Sequence, residues 1–288
     1  MKTLWVKRLP SIAAPILSFR ALRDLVTLAT KHRELTLLLA KREITDRYAG
    51  QVFGVFWAAG HPVLLMLVYV TVFGYALNLR AGGSTALPFD YTVYLLSGLI
   101  PWLGFQETVQ KSTTVIRLNA PLVKQVVFPI EVLPVKTVLA CLASQVATVA
   151  AFLIYVVIRF GSLPWTCLWL PVPLLLQVLL MIGLGYLLSA TGVYFRDLKD
   201  VVQVLLLAGV YALPVIYPPS ILEGNAVIRK VLWCNPVSHV IWCYQDICYF
   251  GEMAHPWSWL IFGAMSALAL HLGYLAFCGL KHHMGDVL

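Results

Sequence analysis

The chain has 288 residues, of which 60% are hydrophobic and 12% are charged, and its mean hydropathy is +0.82. This composition indicates an integral membrane protein and excludes a soluble globular fold. The formal net charge of +8 does not indicate a nucleic-acid partner, because the cations are concentrated beside apolar segments, as is typical of a membrane surface.

Residues 1–51 are predicted to be a cytoplasmic tail that contains an interface helix. Ten Lys and Arg side chains precede residue 52, whereas residues 52–74 contain no charged side chain. Each charge at membrane depth costs about 2.5–3.5 kcal/mol or more, so the basic segment is expected to stay in the cytoplasm. Within it, residues 20–47 are predicted to form an amphipathic helix with Leu35, Leu38 and Leu39 toward lipid.

Residues 52–288 are predicted to form an all-α transmembrane domain. Apolar runs place six spans at residues 52–74, 91–115, 130–158, 165–194, 201–217 and 257–280. An even number of spans returns the C-terminus to the cytoplasm. This topology puts 17 of the 21 Lys and Arg on the inner side and 4 on the outer side, which agrees with the positive-inside rule.

The segments between the spans differ on the two sides of the membrane. On the inner side, residues 117–128 are predicted to hold one or two helical turns, and residues 195–200 to form a tight charged turn. On the outer side, residues 218–256 are apolar. This favours two short re-entrant helices, broken at Asn235-Pro236, over an exposed loop.

The sequence shows no pattern typical of a catalytic or metal site. It contains no GxxxxGK[ST] phosphate loop, no GxSxG or HExxH motif and no cluster of paired carboxylates. Glu107 and Lys111 stand four residues apart and are predicted to neutralise each other. The six cysteines lack CxxC spacing, and most are predicted to be small buried side chains. Whether Cys234, Cys243 or Cys248 pair is left open.

Aromatic residues are numerous in the first, second and fifth predicted spans. Their faces stack on sugar rings, so an aromatic-lined passage suits a carbohydrate. The alternative is the aromatic belt that membrane proteins carry at the bilayer interface. The candidates for a translocation path are Trp57, Tyr69, Phe73, Trp102, Phe105 and Tyr211.

Several segments, in order along the chain, resemble one known family. They are Arg33-Glu34-Leu35, residues 41–57 (KREITDRYAGQVFGVFW), residues 128–134 (FPIEVLP), residues 194–198 (YFRDL), residues 213–218 (LPVIYP) and Asn235-Pro236. Together they resemble the ABC-2 type permeases of polysaccharide exporters, and among these the O-antigen (Wzm-type) permeases, with capsule and teichoic-acid permeases as near relatives. His61-Pro62 and Tyr244-Gln245-Asp246 depart from the pattern, which leaves the polymer open.

The resemblance implies a homodimeric transmembrane subunit that works with two copies of a separate ATPase. The pump would move a polysaccharide linked to polyprenyl diphosphate outward across the bacterial inner membrane. ATP and Mg²⁺ would be bound by the partner ATPase, and this chain would hold no cofactor. The ATPase would push on residues 33–46 and 117–128, with Glu43, Asp46, Arg117, Lys124 and Arg196 as coupling residues.

A lipid diphosphate, as the resemblance implies, needs fixed cations at the level of the inner headgroups. Lys41, Arg42 and Arg47 precede the first span and are the candidates; the alternative is a topology signal alone. Two other function classes are a membrane-embedded transferase and an ion-coupled flippase acting on polyprenyl-linked sugars. The first needs converging acid and base groups and the second needs intramembrane carboxylates, so the sequence favours the exporter.

Overall fold

The computed structural model describes residues 32–72, 90–125, 129–217, 225–281 and 283–287. Within these ranges every regular element is a helix, which confirms the all-α prediction for this part of the chain. Short 3₁₀ segments at Gly54–Phe56, Trp165–Trp169 and Val210–Ala212, and a π-helix at Asp246–Phe250, adjoin the α-helices. The α-helices are α1 (Arg33–Arg47), α2 (Trp57–Tyr69), α3 (Tyr91–Ser112), α4 (Val115–Leu118), α5 (Ala120–Gln125), α6 (Val132–Phe160), α7 (Pro171–Tyr194), α8 (Leu198–Gly209), α9 (Ala226–Cys234), α10 (Pro236–Gln245), α11 (Pro256–Lys281) and α12 (Met284–Val287).

Among the described residues, three helical stretches are long and apolar enough to cross a bilayer: Val132–Phe160, Trp165–Tyr194 and Pro256–Lys281. A further apolar stretch, Gly60–Val72, is shorter. The helix α3 has the length of a span, but its last turns carry Gln106, Glu107, Gln110 and Lys111. Each predicted span thus contains a helix, while the number of bilayer crossings stays a prediction.

The fifth predicted span, residues 201–217, is helical only in its first part. The chain is extended from Leu213 (φ −129°, ψ 152°), because the proline that follows disfavours the helical conformation. The carbonyl oxygen of Pro214 accepts hydrogen bonds from Tyr94 Oη at 3.1 Å and Gln245 Nε2 at 2.8 Å. Side chains of α3 and α10 therefore donate the hydrogen bonds that this carbonyl oxygen would have accepted from a backbone N–H within a helix.

The helix α2 begins later than the first predicted span, residues 52–74, and contains Pro62. A proline has no N–H, so the carbonyl oxygen of Ala58, four residues earlier, loses its helical partner. Ser144 Oγ on α6 donates to this oxygen at 2.9 Å. A neighbouring helix thus supplies the missing donor, as a proline at membrane depth requires.

The helix α3 is central to the packing of the described structure. It contacts α6, α7, α8 and α10, and residues 91–102 are all buried. Tyr94 packs edge-on against Tyr249, with 5.2 Å between ring centroids. A helix that is buried along most of its length positions the elements around it, and both clefts described below have α3 as one wall.

The helices α7 and α11 approach until their backbones touch. A Cβ atom at Gly183 would lie 2.3 Å from the carbonyl carbon of Ala269, and one at Gly273 would lie 1.9 Å from the carbonyl oxygen of Gly183. Small residues at a crossing allow membrane helices to pack closely where there is no hydrophobic force between them.

Within residues 225–256, two short helices are interrupted at Asn235, as predicted for the segment between the last two predicted spans. Asn225 Oδ1 accepts from the N–H groups at the start of α9, and Asn235 Oδ1 accepts from Val237 N–H at the start of α10. Pro236 takes the first position of α10, where no helical N–H bond is needed. The helix α10 is buried against α3 and α11; its insertion into a bilayer stays a prediction.

The described chain has two distinct ends. The basic end carries α1, α4, α5 and the start of α6. There Arg117 Nη2 donates to the carbonyl oxygen of Arg196 at 3.4 Å, and Lys281 pairs with Glu131. The opposite end carries the connections from α6 to α7 and from α10 to α11.

Candidate functional site

A cleft of about 520 Å³ opens at the basic end, between α1, the last turn of α3, α4 and the start of α6. We call it the basic cleft, because four cationic and two acidic side chains line it, an excess of two positive charges. A concave surface with surplus cations suits a phosphate group. Its lining residues are Leu39, Arg42, Glu43, Asp46, Arg47, Lys111, Thr114, Val115, Leu118, Asn119, Leu122, Lys136 and Thr137.

Glu107 holds two of these cations together. Its Oε1 accepts from Lys111 Nζ at 2.8 Å, which confirms the predicted pair, and it also pairs with Arg47 Nη1 at the end of α1. Burial lowers the pKa of the Arg47 guanidinium, but the attraction of Glu107 and hydrogen bonds to Tyr48 and Glu107 outweigh burial, so the pKa is raised. The second terminal nitrogen of Arg47 is buried and has no partner in the described structure, so Arg47 retains an unused donor.

Two of the three predicted headgroup residues line the basic cleft. Arg47 does so at the end of α1, and Arg42 does so one turn earlier, with its Nε 3.4 Å from Asp46 Oδ2 and both of these side chains exposed. Lys41 is exposed on α1 but does not line this cleft. The structure therefore distinguishes Arg42 and Arg47, which line the cleft, from Lys41, which does not, although the sequence alone gives all three the same role.

Glu43, predicted to couple to an ATPase, is bound to α6. Its Oε2 lies 3.3 Å from Lys136 Nζ and accepts from Thr137 Oγ1 at 3.2 Å. Lys136 also donates to Asn119 Oδ1 at 3.4 Å and is 7% exposed. Sequence reasoning assigned Lys136 and Thr137 to no site and included Asn119 only within the segment 117–128. The available signal was a lysine near the start of a long apolar helix, where an unpaired charge is costly.

A second cleft, of about 330 Å³, lies between α2, α3 and α6. We call it the polar cleft, because most of its side chains carry hydrogen-bonding groups. Glu107 lines the polar cleft while Arg47 and Lys111 line the basic cleft, so this ion network lies between the two. The polar cleft is lined by His61, Pro62, Leu65, Leu103, Gly104, Gln106, Glu107, Gln110, Ser144, Gln145 and Thr148.

Gln145 connects the polar cleft to a buried hydrogen-bond network. Its Nε2 donates to Gln177 Oε1 at 2.7 Å, and Tyr244 Oη donates to the same oxygen at 2.6 Å. Gln177 Nε2 donates to the carbonyl oxygen of Pro101 at 2.9 Å. The network joins α3, α6, α7 and α10, so its hydrogen bonds link four helices inside the fold. Gln145 Oε1 is buried without a partner in the described structure.

The structure divides the predicted aromatic path. Trp102 and Phe105 are 5% and 8% exposed, stack with 5.9 Å between ring centroids and belong to the hydrophobic core. Tyr69 is half-buried beside Tyr211, which is 66% exposed. Two candidates thus have the burial of packing residues, and two lie at a surface formed by α2 and the 3₁₀ segment Val210–Ala212 that follows α8.

The remaining aromatic candidates add no contact with either cleft. Trp57 packs edge-on against Phe53, with 5.9 Å between ring centroids, and Phe73 lies outside the described residues. None of the described aromatic candidates lines the basic or the polar cleft. Their part in translocation stays a prediction.

The other predicted coupling residues cluster at the basic end. Lys124 on α5 and Arg196 in the turn before α8 are exposed. Arg117 on α4 is half-buried and contacts the Arg196 backbone, whereas Asp46 is paired with Arg42. The helices α4 and α5 and this turn therefore present an exposed cationic surface, with Lys124 and Arg196 unburied.

Sequence reasoning missed a hydrogen-bonded cluster around a buried carboxylate at the opposite end. Asp246 is 1% exposed and lies 2.7 Å from His255 Nδ1. Its carboxylate also accepts from the backbone N–H of His255 and from Trp259 Nε1, both at 3.1 Å. The partners follow Asp246 by 9 and 13 residues across an irregular segment, so no helical periodicity predicts the contact.

Comparison with known proteins identifies related chains. The family model described as ABC-2 type transporter matches residues 34–249, which contain both clefts. The chain is 31% identical over 220 residues to the O-antigen export system permease protein RfbA of Myxococcus xanthus, covering 76% of this chain and 82% of that protein. It is 24% identical over 262 residues to an RfbA of Klebsiella pneumoniae (88% and 95%). It is 26% identical over 205 residues to the polysialic acid transport protein KpsM of Escherichia coli (69% and 75%).

Proposed function

This chain belongs to the ABC-2 type transporter family, and we propose that it is the permease subunit of an exporter for lipid-linked polysaccharide. The substrate is a polymer on polyprenyl diphosphate, and O-antigen is the expected polymer because relatives in two organisms are named O-antigen export permeases. The chain is a multi-pass membrane protein. We place it in the inner membrane with both termini in the cytoplasm, because its cations gather at the basic end.

The basic cleft is the observation that carries this proposal. A diphosphate needs cations held in place, and Arg42, Arg47, Lys111 and Lys136 line one concave surface. An arginine side chain can contact two phosphate oxygens at once, which a lysine cannot. The adjoining polar cleft offers amide, hydroxyl and imidazole groups to the first sugars of the polymer.

The proposed assembly is a homodimer with two copies of a separate ATPase that binds ATP and Mg²⁺. Exposed side chains on α2, on α8 and on the 3₁₀ segment after α8 support a seam between two permease copies around the polymer; they include Leu64, Leu67, Leu205 and Tyr211. The ATPase docks at the exposed surface of α4, α5 and the turn before α8.

Binding of polyprenyl diphosphate to the purified chain in lipid nanodiscs tests the proposal. We expect Arg42→Gln to weaken binding about tenfold, which corresponds to the loss of about one charge-assisted hydrogen bond. Arg42→Lys should restore binding only in part. The matched control is Lys41→Gln, which removes a charge from the neighbouring position of α1 outside the basic cleft and should leave the affinity within about twofold, since an exposed charge contributes little.

Each outcome decides between the cleft and general surface charge. Equal losses in Arg42→Gln and Lys41→Gln would show that the ligand senses only the basic surface. Wild-type affinity in Arg42→Gln would remove the basic cleft as the headgroup site. Arg47→Gln is a less specific test, because it also breaks the contact between α1 and Glu107.

A further inference from the structure

Two connecting segments meet at the opposite end of the molecule. The 3₁₀ segment Trp165–Trp169 precedes α7, and the π-helix Asp246–Phe250 follows α10. Thr166 Oγ1 donates to the carbonyl oxygen of Ile247 at 2.6 Å. The Sγ atom of Cys167 lies 4.0 Å from the same oxygen. These contacts hold the two segments side by side although they are far apart in the sequence.

Each segment brings one thiol to this contact. Cys167 and Cys248 lie within hydrogen-bonding reach of each other, and no disulfide joins them in this structure. Cys248 is 1% exposed, whereas Cys167 is half-buried. A disulfide-bearing protein therefore reaches Cys167 first, because Cys248 is more deeply buried.

The opposite end faces an oxidising compartment if the orientation under the proposed function is correct, and the inference rests on that orientation. The cationic residues of α1, α4 and α5 lie at the basic end, which the positive-inside rule places in the cytoplasm. Disulfides persist outside the cytoplasm and are rare within it.

We propose that Cys167 and Cys248 form a disulfide on the extracytoplasmic side of the mature protein. The oxidant is a disulfide-bearing oxidoreductase of the extracytoplasmic compartment. The Cys167 thiolate attacks one sulfur of the oxidant's disulfide, forming a mixed disulfide and releasing one oxidant thiolate. The Cys248 thiolate then attacks Cys167 Sγ, forming the Cys167–Cys248 bond and releasing the second oxidant thiolate. The two cysteines lose two electrons and two protons, and the oxidant becomes a dithiol.

The disulfide would link the 3₁₀ segment before α7 covalently to the π-helix that follows α10. Thr166 and Ile247 already contact each other, so the covalent bond joins elements that are packed together. The basic end, with its clefts and proposed ATPase surface, is left free to move.

Differential alkylation of the full-length chain from bacterial membranes tests the inference. Cells are lysed in denaturant with light N-ethylmaleimide, then the protein is reduced and treated with heavy N-ethylmaleimide before peptide mass spectrometry. We expect the heavy label on Cys167 and Cys248 and the light label on Cys234 and Cys243. The light label on both Cys167 and Cys248 would overturn the proposal.

Variants show that the two thiols pair with each other. Cys248→Ser should move Cys167 from the heavy to the light label. If this chain does not accumulate, Cys167→Ser should do the same to Cys248. The matched control is Cys243→Ser, also buried in the same outer segment, which should leave both residues with the heavy label. A heavy label on Cys167 in Cys248→Ser would mean another partner and would overturn the pairing.

Cys234 separates failure of the disulfide from failure of the orientation. It is exposed at the end of α9, at the same end of the molecule. A membrane-impermeant maleimide added to spheroplasts should label it. Labelled Cys234 together with light-labelled Cys167 and Cys248 would refute the disulfide alone. Unlabelled Cys234 together with a reduced pair would refute both the disulfide and the orientation of the proposed function.

Discussion

Acidic side chains that the structure buries or half-buries are matched by basic groups. Glu43 faces Lys136, Glu107 faces two cations, and Glu131 faces Lys281. Asp246 faces His255 and two N–H donors. An unpaired charge at low dielectric is costly, and a paired charge still requires hydrogen bonds to its remaining lone pairs. These pairs therefore fix the relative positions of the helices that carry them.

Removing the Asp246 carboxylate should destabilise the opposite end. Asp246→Ala leaves the backbone N–H of His255 and Trp259 Nε1 without their acceptor, which costs about 1–3 kcal/mol. We expect a lower midpoint of thermal unfolding in detergent, measured by loss of the monodisperse peak in size-exclusion chromatography. Glu252→Ala, an exposed carboxylate in the same connection, is the control. Identical midpoints for the two variants would show that the cluster contributes nothing measurable.

Close helix packing depends on single small residues at defined crossings. The helices α7 and α11 touch through Gly183 and Gly273. In α2, Pro62 leaves the carbonyl oxygen of Ala58 without a helical N–H donor, and Ser144 of α6 donates to this oxygen instead. Both arrangements follow from packing in a lipid environment, where contact between helices and satisfied backbone groups stabilise the fold.

A methyl group at the α7–α11 crossing should separate the two helices. Gly273→Ala places a Cβ atom 1.9 Å from the carbonyl oxygen of Gly183, and overpacking of this kind costs about 1–3 kcal/mol or more. The expected result is a lower unfolding midpoint. Gly279→Ala lies on the same helix with no atom within 4 Å of its new Cβ and should keep or raise the midpoint. Equal behaviour of the two variants would mean that the crossing relaxes freely.

At the scale of the whole molecule, the clefts and the buried carboxylate of Asp246 lie at different ends. The basic end holds the basic cleft and the exposed surface of α4 and α5, and α3 continues from this end into the polar cleft and the core. The opposite end holds the α9–α10 pair and the Asp246 cluster. The proposed headgroup site and the proposed ATPase surface therefore both lie at the basic end.

Charge reversal on α5 should separate the permease from its ATPase. Lys124 is exposed and outside both clefts, so Lys124→Glu should reduce co-purification of the ATPase about tenfold, equivalent to about 1.4 kcal/mol. Lys230→Glu, exposed on α9 at the opposite end, should leave co-purification unchanged. The docking assignment fails if Lys124→Glu retains the ATPase at the wild-type ratio, as read from a quantitative gel.

Local patterns were sufficient for several features of this protein. Apolar runs indicate the helices, Asn235-Pro236 indicates the break in the outer segment, and the spacing of Glu107 and Lys111 indicates their ion pair. The segments that resemble ABC-2 permeases lead to the family that the comparison shows. Each of these depends on residues close together in the chain, where geometry follows from the helix itself.

Only the tertiary structure decided which side of each helix is buried and which distant charges meet. Arg47 reaches Glu107 across 60 residues, and Glu43 reaches Thr137 across 94. Trp102 lies in the core while Tyr211 is exposed, although both stand in apolar segments. In a membrane protein the faces toward lipid and toward protein are equally apolar, so hydrophobic periodicity does not separate them. Packing between the helices decides which face of each helix lies toward protein and which lies toward lipid.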